Sequence, residues 1–382
     1  MRLIGTTAMG IRLPIISKGD DLISIICDTI KKLDSPLKSD DIIGVTEAIV
    51  AKSESNYAKI EDIAEDIKHK YGDNEIALIY PIFSRNRFLN ILKGIAKGTK
   101  KVHVLFSYPF DEVGNPILDI NRLDDILDAL PSGLVSSSDF KKVAGEFLHP
   151  FTNTNYIDLY ESVQNVSVYF SNDPRDALNI TKNILVGEIH SRNRTKARLI
   201  KAGADTIYTL SDILSTSING SGFNSKYGVL GSNLSSDNTL KLFPNKADEF
   251  VLNLQAKIKE ITGVAPEVLV YGDGAFKDPV CGIWELADPV VSPGFTKRLG
   301  GLPDELKIKL VADTLGDISA EEKQEKMKEL IKSKDTDLYR EGTTPRVYAD
   351  LLGSLCDLVS GSGDKGTPVI LIRGYFDNYS TQ

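Results

Sequence analysis

The chain has 382 residues, 41% of them hydrophobic and 26% charged, with a formal net charge of −8. That length predicts two or three domains with ample chain to bury a core, and the composition excludes a disordered protein. The acidic balance argues against general binding to nucleic acid or a membrane surface, which rests on excess Lys and Arg.

At the N-terminus, acids follow the first residues too soon for a secretory leader, and no window is apolar for long enough to span a bilayer. Cys27, Cys281 and Cys356 lie far apart, odd in number and in no CxxC spacing. They suggest neither a disulfide framework nor a structural zinc site, so a reducing cytoplasm is expected. From Leu22 to Leu33 apolar residues recur at helical spacing behind Asp20 or Asp21 as cap. "DIIGVTEAIVAKSES" then reads as a strand running into a loop near Thr46 to Ser55. "EIALIYP", "KVHVLFSYP", "VSVYF", "ILVGEI", "EVLVYG" and "PVILIRG" are further strands, mostly separated by helical stretches such as Lys246 to Ile261. The alternation predicts an α/β or mixed α+β architecture with sheets covered by helices. No internal repeat of fixed period is expected.

Four stretches carry groups suited to chemistry. In "GEIHSRNRTKARLIKAGAD", Gly187 to His190 follow a strand, and Arg192, Arg194 and Lys196 open a helix. Amides and guanidinium groups there suit an anion, and a solvated helix face with a capping or buried His190 suits the pattern equally. His69, His103 and His149 stand apart and read as structural. "KYGVLGSNLSSDNTLKLFP", Lys226 to Pro244, reads as a loop in which Asn233 can donate to a phosphate or ligate a metal through its carbonyl.

The third stretch, "VLVYGDGAFKDPVCGIWE", ends a strand in Asp273 between two glycines, with Asp278 beyond. Two hard oxygen donors there suit Mg²⁺ or Mn²⁺, and an Asp-Gly turn is the plainer alternative. The fourth, "SGSGDKGTP" from Ser360 to Pro368, is either a flexible connector or a glycine-rich loop wrapping phosphate oxygens. No GxxxxGK[ST] is present, and the GxGxxG at 361–366 follows a helix and precedes a strand, the reverse of the dinucleotide-binding context.

In order along the chain, "GDDLISIICDTI", "DDIIGVTEAIVAKSES", "GVLGSNLSSDNTLKLFP", "ITGVAPEVLVYGDGAF" and "GTPVILIRGY" resemble motifs of the coenzyme F-420 gamma-glutamyl ligase family. The resemblance touches the N-terminal part and most of the chain after about Tyr227. It implies a ligase-like domain in two pieces, 1–100 and 225–382, around an inserted α/β subdomain at 101–224. It further implies a mixed α/β fold that is not a Rossmann domain, a homodimer, and GTP used with Mg²⁺ or Mn²⁺ to join glutamate to a carboxylate acceptor.

On that resemblance Leu13 to Ile16, including Pro14, and Thr46, Glu47 and Lys52 contact the nucleotide, as does Asn233. Asp273 ligates metal and forms the catalytic pair with Lys52, Asp278 and Asp364 are further metal ligands, and Ser360, Gly361, Ser362 and Gly363 face the phosphates. Three positions depart from the family pattern. Leu230 stands where an Asp is expected, Gly274 where a Thr commonly follows the metal aspartate, and Ser362 where an acid is expected. A nucleotide- or anion-binding protein of the same fold without ligase activity is the alternative.

Overall fold

The computed structural model describes residues 3–83, 88–110, 118–145, 148, 154–236, 238–272, 276–277, 284–285, 292–303, 305–333, 346–360, 364–378 and 380. The chain divides into two compact units, Met1–Ser53 with Lys246–Asp273 and Val291–Gln382, and Glu54–Asn245 with Gly274–Val290. Among the described residues no helix is long and apolar enough to cross a membrane.

The first unit opens with β1 (Thr7–Ile11), α1 (Leu22–Ile30), β2 (Ile42–Thr46) and α2 (Glu47–Ser53). The Ser24 N–H donates to Asp21 Oδ1 at 3.1 Å, satisfying one of the donors that a helix start leaves orphaned. α1 then buries Leu22, Ile26, Cys27 and Ile30 as one face. The stretch expected as a loop from Thr46 is instead mostly helical. Glu47–Ser53 form α2, with Glu47 in the first turn and Val50 and Ala51 buried, so a short run of helix formers follows the strand without a break.

The second unit carries, in order, β3 (Tyr57–Lys59), α3 (Ile60–Tyr71), β4 (Glu75–Ile79), α4 (Leu89–Lys97), β5 (Lys101–Phe106), α5 (Leu123–Ala129), β6 (Val135–Ser136) and α6 (Ser137–Ala144). α7 (Tyr156–Glu161), β7 (Val166–Phe170), β8 (Asn183–Val186), α8 (Arg192–Lys201), β9 (Thr206–Thr209), β10 (Asn233–Ser236) and β11 (Thr239–Lys241) follow. One sheet runs β6-β7-β5-β4-β8-β9, with β7, β5, β4, β8 and β9 all parallel and β6 antiparallel at the edge. Counting the parallel strands in chain order, the sequence across the sheet is third, second, first, fourth, fifth, the doubly wound order. The loop after its first strand carries no glycine-rich phosphate fingerprint.

The family resemblance implied a non-Rossmann fold and a subdomain starting at 101. Glu75 of β4 lies opposite Lys101 of β5, so that boundary runs between two hydrogen-bonded neighbours. Parallel neighbours need a long crossover, which hides their pairing in the sequence. The compact units divide at 53/54, 245/246, 273/274 and 290/291. β10 and β11 also replace the loop expected over 226–244, forming an antiparallel sheet with β3. Leu240 and Leu242 are fully buried there, and their burial orders a segment whose Ser and Asn content reads as irregular.

The chain returns to the first unit with α9 (Ala247–Thr262) and β12 (Glu267–Tyr271). β13 (Phe276–Lys277) and β14 (Trp284–Glu285) pair with each other. β15 (Gly294–Phe295), α10 (Ile308–Thr314), α11 (Ala320–Ser333), α12 (Tyr348–Val359) and β16 (Val369–Arg373) complete the first unit. Its mixed sheet runs β1-β16-β2-β12-β15. On one face Val45, Val268 and Val369 pack with α1 and with Val251 and Leu254 of α9. On the other, Ile42, Leu269 and Ile370 pack with Leu352 and Cys356 of α12. Strands covered on both faces read as continuous apolar runs, which is why the sequence announces them.

Candidate functional site

The sheet of the first unit brings the segments after β1, β2 and β12 and the entry of β16 to one end. β2 and β12 are parallel, with Thr46 opposite Tyr271, so both chains leave the sheet together, one into Glu47 and the other through Gly272 toward 273. β16 runs antiparallel to β1 and β2, with Val369 opposite both Ile11 and Val45. Its entry therefore lies at the end where β1 and β2 exit. Backbone bonds fasten these loops to one another. The Thr46 N–H donates to the Pro368 carbonyl at 3.0 Å, and the Leu13 N–H to the Gly366 carbonyl at 3.3 Å. Arg12 Nε donates to the Lys365 carbonyl at 3.3 Å.

Around that end Leu13, Thr46, Lys52 and Ser360 are half-buried, Pro14 and Asp364 are exposed, and Glu47 is buried. Gly10 matters for close approach, because a Cβ there would meet the Thr367 Cβ at 2.8 Å. A side chain would push β16's entry away from β1. Asp273, Asp278, Gly274, Gly361, Ser362 and Gly363 lie outside the described residues. Among the described residues no group of three His, Cys, Asp or Glu could hold a metal ion. Of the expected ligands only Asp364 is described, and it is exposed.

Asn233 belongs to the second unit, in β10 opposite Lys241. Leu230, also in that unit, is 2% exposed and lines a small apolar cavity with Ile82, Phe88 and Ile189. The place where the family pattern expects an acid is thus part of a hydrophobic core. A sequence model of the F420-0:gamma-glutamyl ligase family matches residues 10–374.

The chain belongs to that family. No curated protein matches it. The match to the gamma-glutamyl ligases spans 101–224 as well, the stretch for which the motifs alone gave no counterpart.

Of the residues expected to hold an anion in the second unit, Arg192 and Arg194 do open α8. Lys196 does not face that end, since its ammonium pairs with Asp212 at 3.1 Å. His103 is structural, as expected: it is buried, and Nε2 lies 3.0 Å from Glu75 Oε2. His149 lies outside the described residues.

Sequence reasoning missed Glu188, which is 6% exposed and has Oε1 without a hydrogen-bond partner among the described residues. No local signal marks it, although a short recurrence lies beside it. Ser-Arg-Asn-Arg occurs twice, at 84–87 and at 191–194, each time five residues beyond a central strand of the doubly wound sheet. A search for repeats of fixed period passes over so short a recurrence.

Proposed function

We propose that the protein is a gamma-glutamyl ligase that uses GTP and Mg²⁺ or Mn²⁺ at the end of the first unit's sheet, joining glutamate to a carboxylate acceptor. Membership of the ligase family supports the reaction class. The observation that supports the location is the convergence of the loops after β1, β2 and β12 with the entry of β16. Loops gathered outside the ends of a sheet's strands are where open α/β sheets take small ligands.

In this reading Leu13, Pro14, Thr46 and Glu47 shape the nucleotide pocket, Lys52 neutralises phosphate charge, and the 360–364 loop wraps the phosphates. Asp273, Asp278 and Asp364 would hold the metal, which when bound offsets the charge of the triphosphate. An acceptor carboxylate oxygen attacks the γ-phosphorus, the bond to the β-bridging oxygen breaks and GDP leaves. The glutamate amine then attacks the acyl phosphate carbon, phosphate departs and the amine loses its proton. Catalysis rests on positioning and on charge compensation at the transferring group. A homodimer in the cytoplasm completes the proposal.

The experiment is a thermal-shift titration with GTP, ATP and GDP, each with and without Mn²⁺, followed by mass spectrometry of acceptor carboxylates incubated with glutamate. A ligand that binds only the folded chain raises its melting temperature by mass action. GTP is expected to stabilise the chain only with metal, and Asp273→Asn to remove that dependence while unfolding stays cooperative. No shift with any nucleotide would sink the proposal. Nucleotide binding without amide formation would favour a binding protein of the same fold, a reading that the buried Leu230 supports.

A further inference from the structure

The doubly wound sheet of the second unit has a crevice that the ligase reading does not use. After β4 the chain crosses over through α4, whose Ile91, Leu92 and Ile95 pack on the face carrying Leu78 and Val104. After β8 it crosses through α8, whose Leu199 packs on the opposite face with Ile79 and Val186. β4 and β8 are adjacent, so two neighbouring strands send their connections to opposite faces. Open α/β sheets take ligands outside the carboxyl ends of the strands at such a point.

The residues at that point are built against their own stability. Tyr80, one residue past β4, has φ 51°, a left-handed conformation costly for a bulky side chain. α8 has no acid in its first turn and no side-chain cap from Ser191. It carries Arg192 and Arg194 at the end where the helix dipole is already positive. Arg192 spends one terminal nitrogen on the Ile189 carbonyl, yet its Nε is buried without a partner among the described residues. Glu188 reaches the same turn, where Thr195 and Arg194 both lie near enough to favour its charged carboxylate. The Oε1 of this nearly buried side chain is an unused acceptor.

An orphaned donor and an orphaned acceptor thus stand within five residues beside an uncapped helix start. Buried polar atoms without partners are costly and rare, and one ligand carrying both an acceptor and a donor would satisfy the pair. We propose that this crevice binds a small phosphorylated or carboxylated molecule that also carries a hydroxyl or amine. The oxyanion sits at the first turn of α8 with Arg192 and Arg194, and the hydroxyl or amine donates to Glu188. The site draws on residues 187–195 and owes nothing to GTP or metal; since glutamate is also the amino acid of the ligase reading, its binding counts for this site only where Arg194→Gln and Glu188→Gln weaken it.

The test is calorimetric titration of the full chain with ribose 5-phosphate, L-glutamate and inorganic phosphate, in the wild type, Arg194→Gln and Glu188→Gln. Arg194 is exposed, so its replacement spares the packing, and circular dichroism melts report whether each variant is folded. Either ribose 5-phosphate or L-glutamate is expected to bind the wild type, which also decides between a phosphate and a carboxylate ligand. Arg194→Gln is expected to weaken that probe by about tenfold, the loss of one charged hydrogen bond. Glu188→Gln is expected to weaken it too, while leaving inorganic phosphate, which lacks the second donor, unaffected. Failure of both organic probes to bind, or equal binding by wild type and folded variants, overturns the proposal.

Discussion

Glu188 shows what a single unsatisfied group does to a fold. Burial raises its carboxyl above the ordinary value of 4.5, against the opposing pull of Thr195 and Arg194. A folded-state pKa above the unfolded one makes the folded chain the tighter proton binder, so the group's contribution is full below 4.5 and is lost as pH rises through the folded value. At neutral pH the charged form is therefore a liability. Glu188→Gln is expected to stabilise the protein at pH 7.5 by on the order of 1 kcal/mol, with the gain shrinking toward pH 4.5. Urea denaturation at both pH values reads this directly, and a loss of stability at pH 7.5 would contradict it. Asp41 is the opposite case, fully satisfied: Arg373 approaches it with Nε at 3.0 Å and a terminal nitrogen at 2.8 Å, and the Lys38 N–H adds a bond at 2.9 Å. Asp41 is 1% exposed, so Asp41→Ala leaves a partly buried guanidinium uncompensated, at a cost of about 3–5 kcal/mol. The urea midpoint should fall accordingly, and replacing Arg373 with Leu in the same chain should recover part of the loss.

Elements in this protein meet at close approaches that glycine permits. Gly44 in the middle of β2 faces α12, and a Cβ there would meet Cys356 Sγ at 2.4 Å. Gly44→Ala is expected to destabilise the chain by about 1–3 kcal/mol through overpacking. Cys356→Ala should relieve much of that penalty, a coupling that a double-mutant cycle measures; additive effects would show that the strand and helix do not meet as described. The same strand shows what the sequence revealed and what it hid. β2, β4, β5, β12 and β16 were legible because strands buried on both faces must be apolar throughout. α2 was not, because Glu-Ala-Ile-Val-Ala-Lys continues a β-branched run and only its burial pattern marks the change of period. β10 and β11 were hidden because a surface hairpin of Ser, Asn and Thr carries its order in pairing with β3, a partner far away in sequence. Of the candidate site, neither the helix after Thr46 nor the companions of each loop were legible. Only the crossing of β16 between β1 and β2 brings 365–368 to Leu13 and Thr46, and long-range pairing leaves no local mark.

At the scale of the whole chain, two units with separate cores explain why one continuous family match can contain two kinds of sheet. Each unit should respond to its own ligand. GTP with metal is expected to slow amide exchange in β1, β2, β12 and β16, and the oxyanion probe in β4, β8 and α8, as hydrogen exchange followed by mass spectrometry would resolve; protection of the same strands by both ligands would count against two independent sites. The sequence of the second unit, which reads as an insertion, begins at Glu54, ahead of the boundary that motif matching suggested. Its parallel core is assembled entirely from strands between Glu75 and Thr209. The first unit is different, because β16 fills the place between β1 and β2 yet follows them by more than three hundred residues. During synthesis the ribosome delivers everything needed for the strands of the second unit long before it delivers the strand that joins β1 to β2. A chain stopped at 359 should therefore hold a folded second unit while β1 and β2 still lack the strand that joins them.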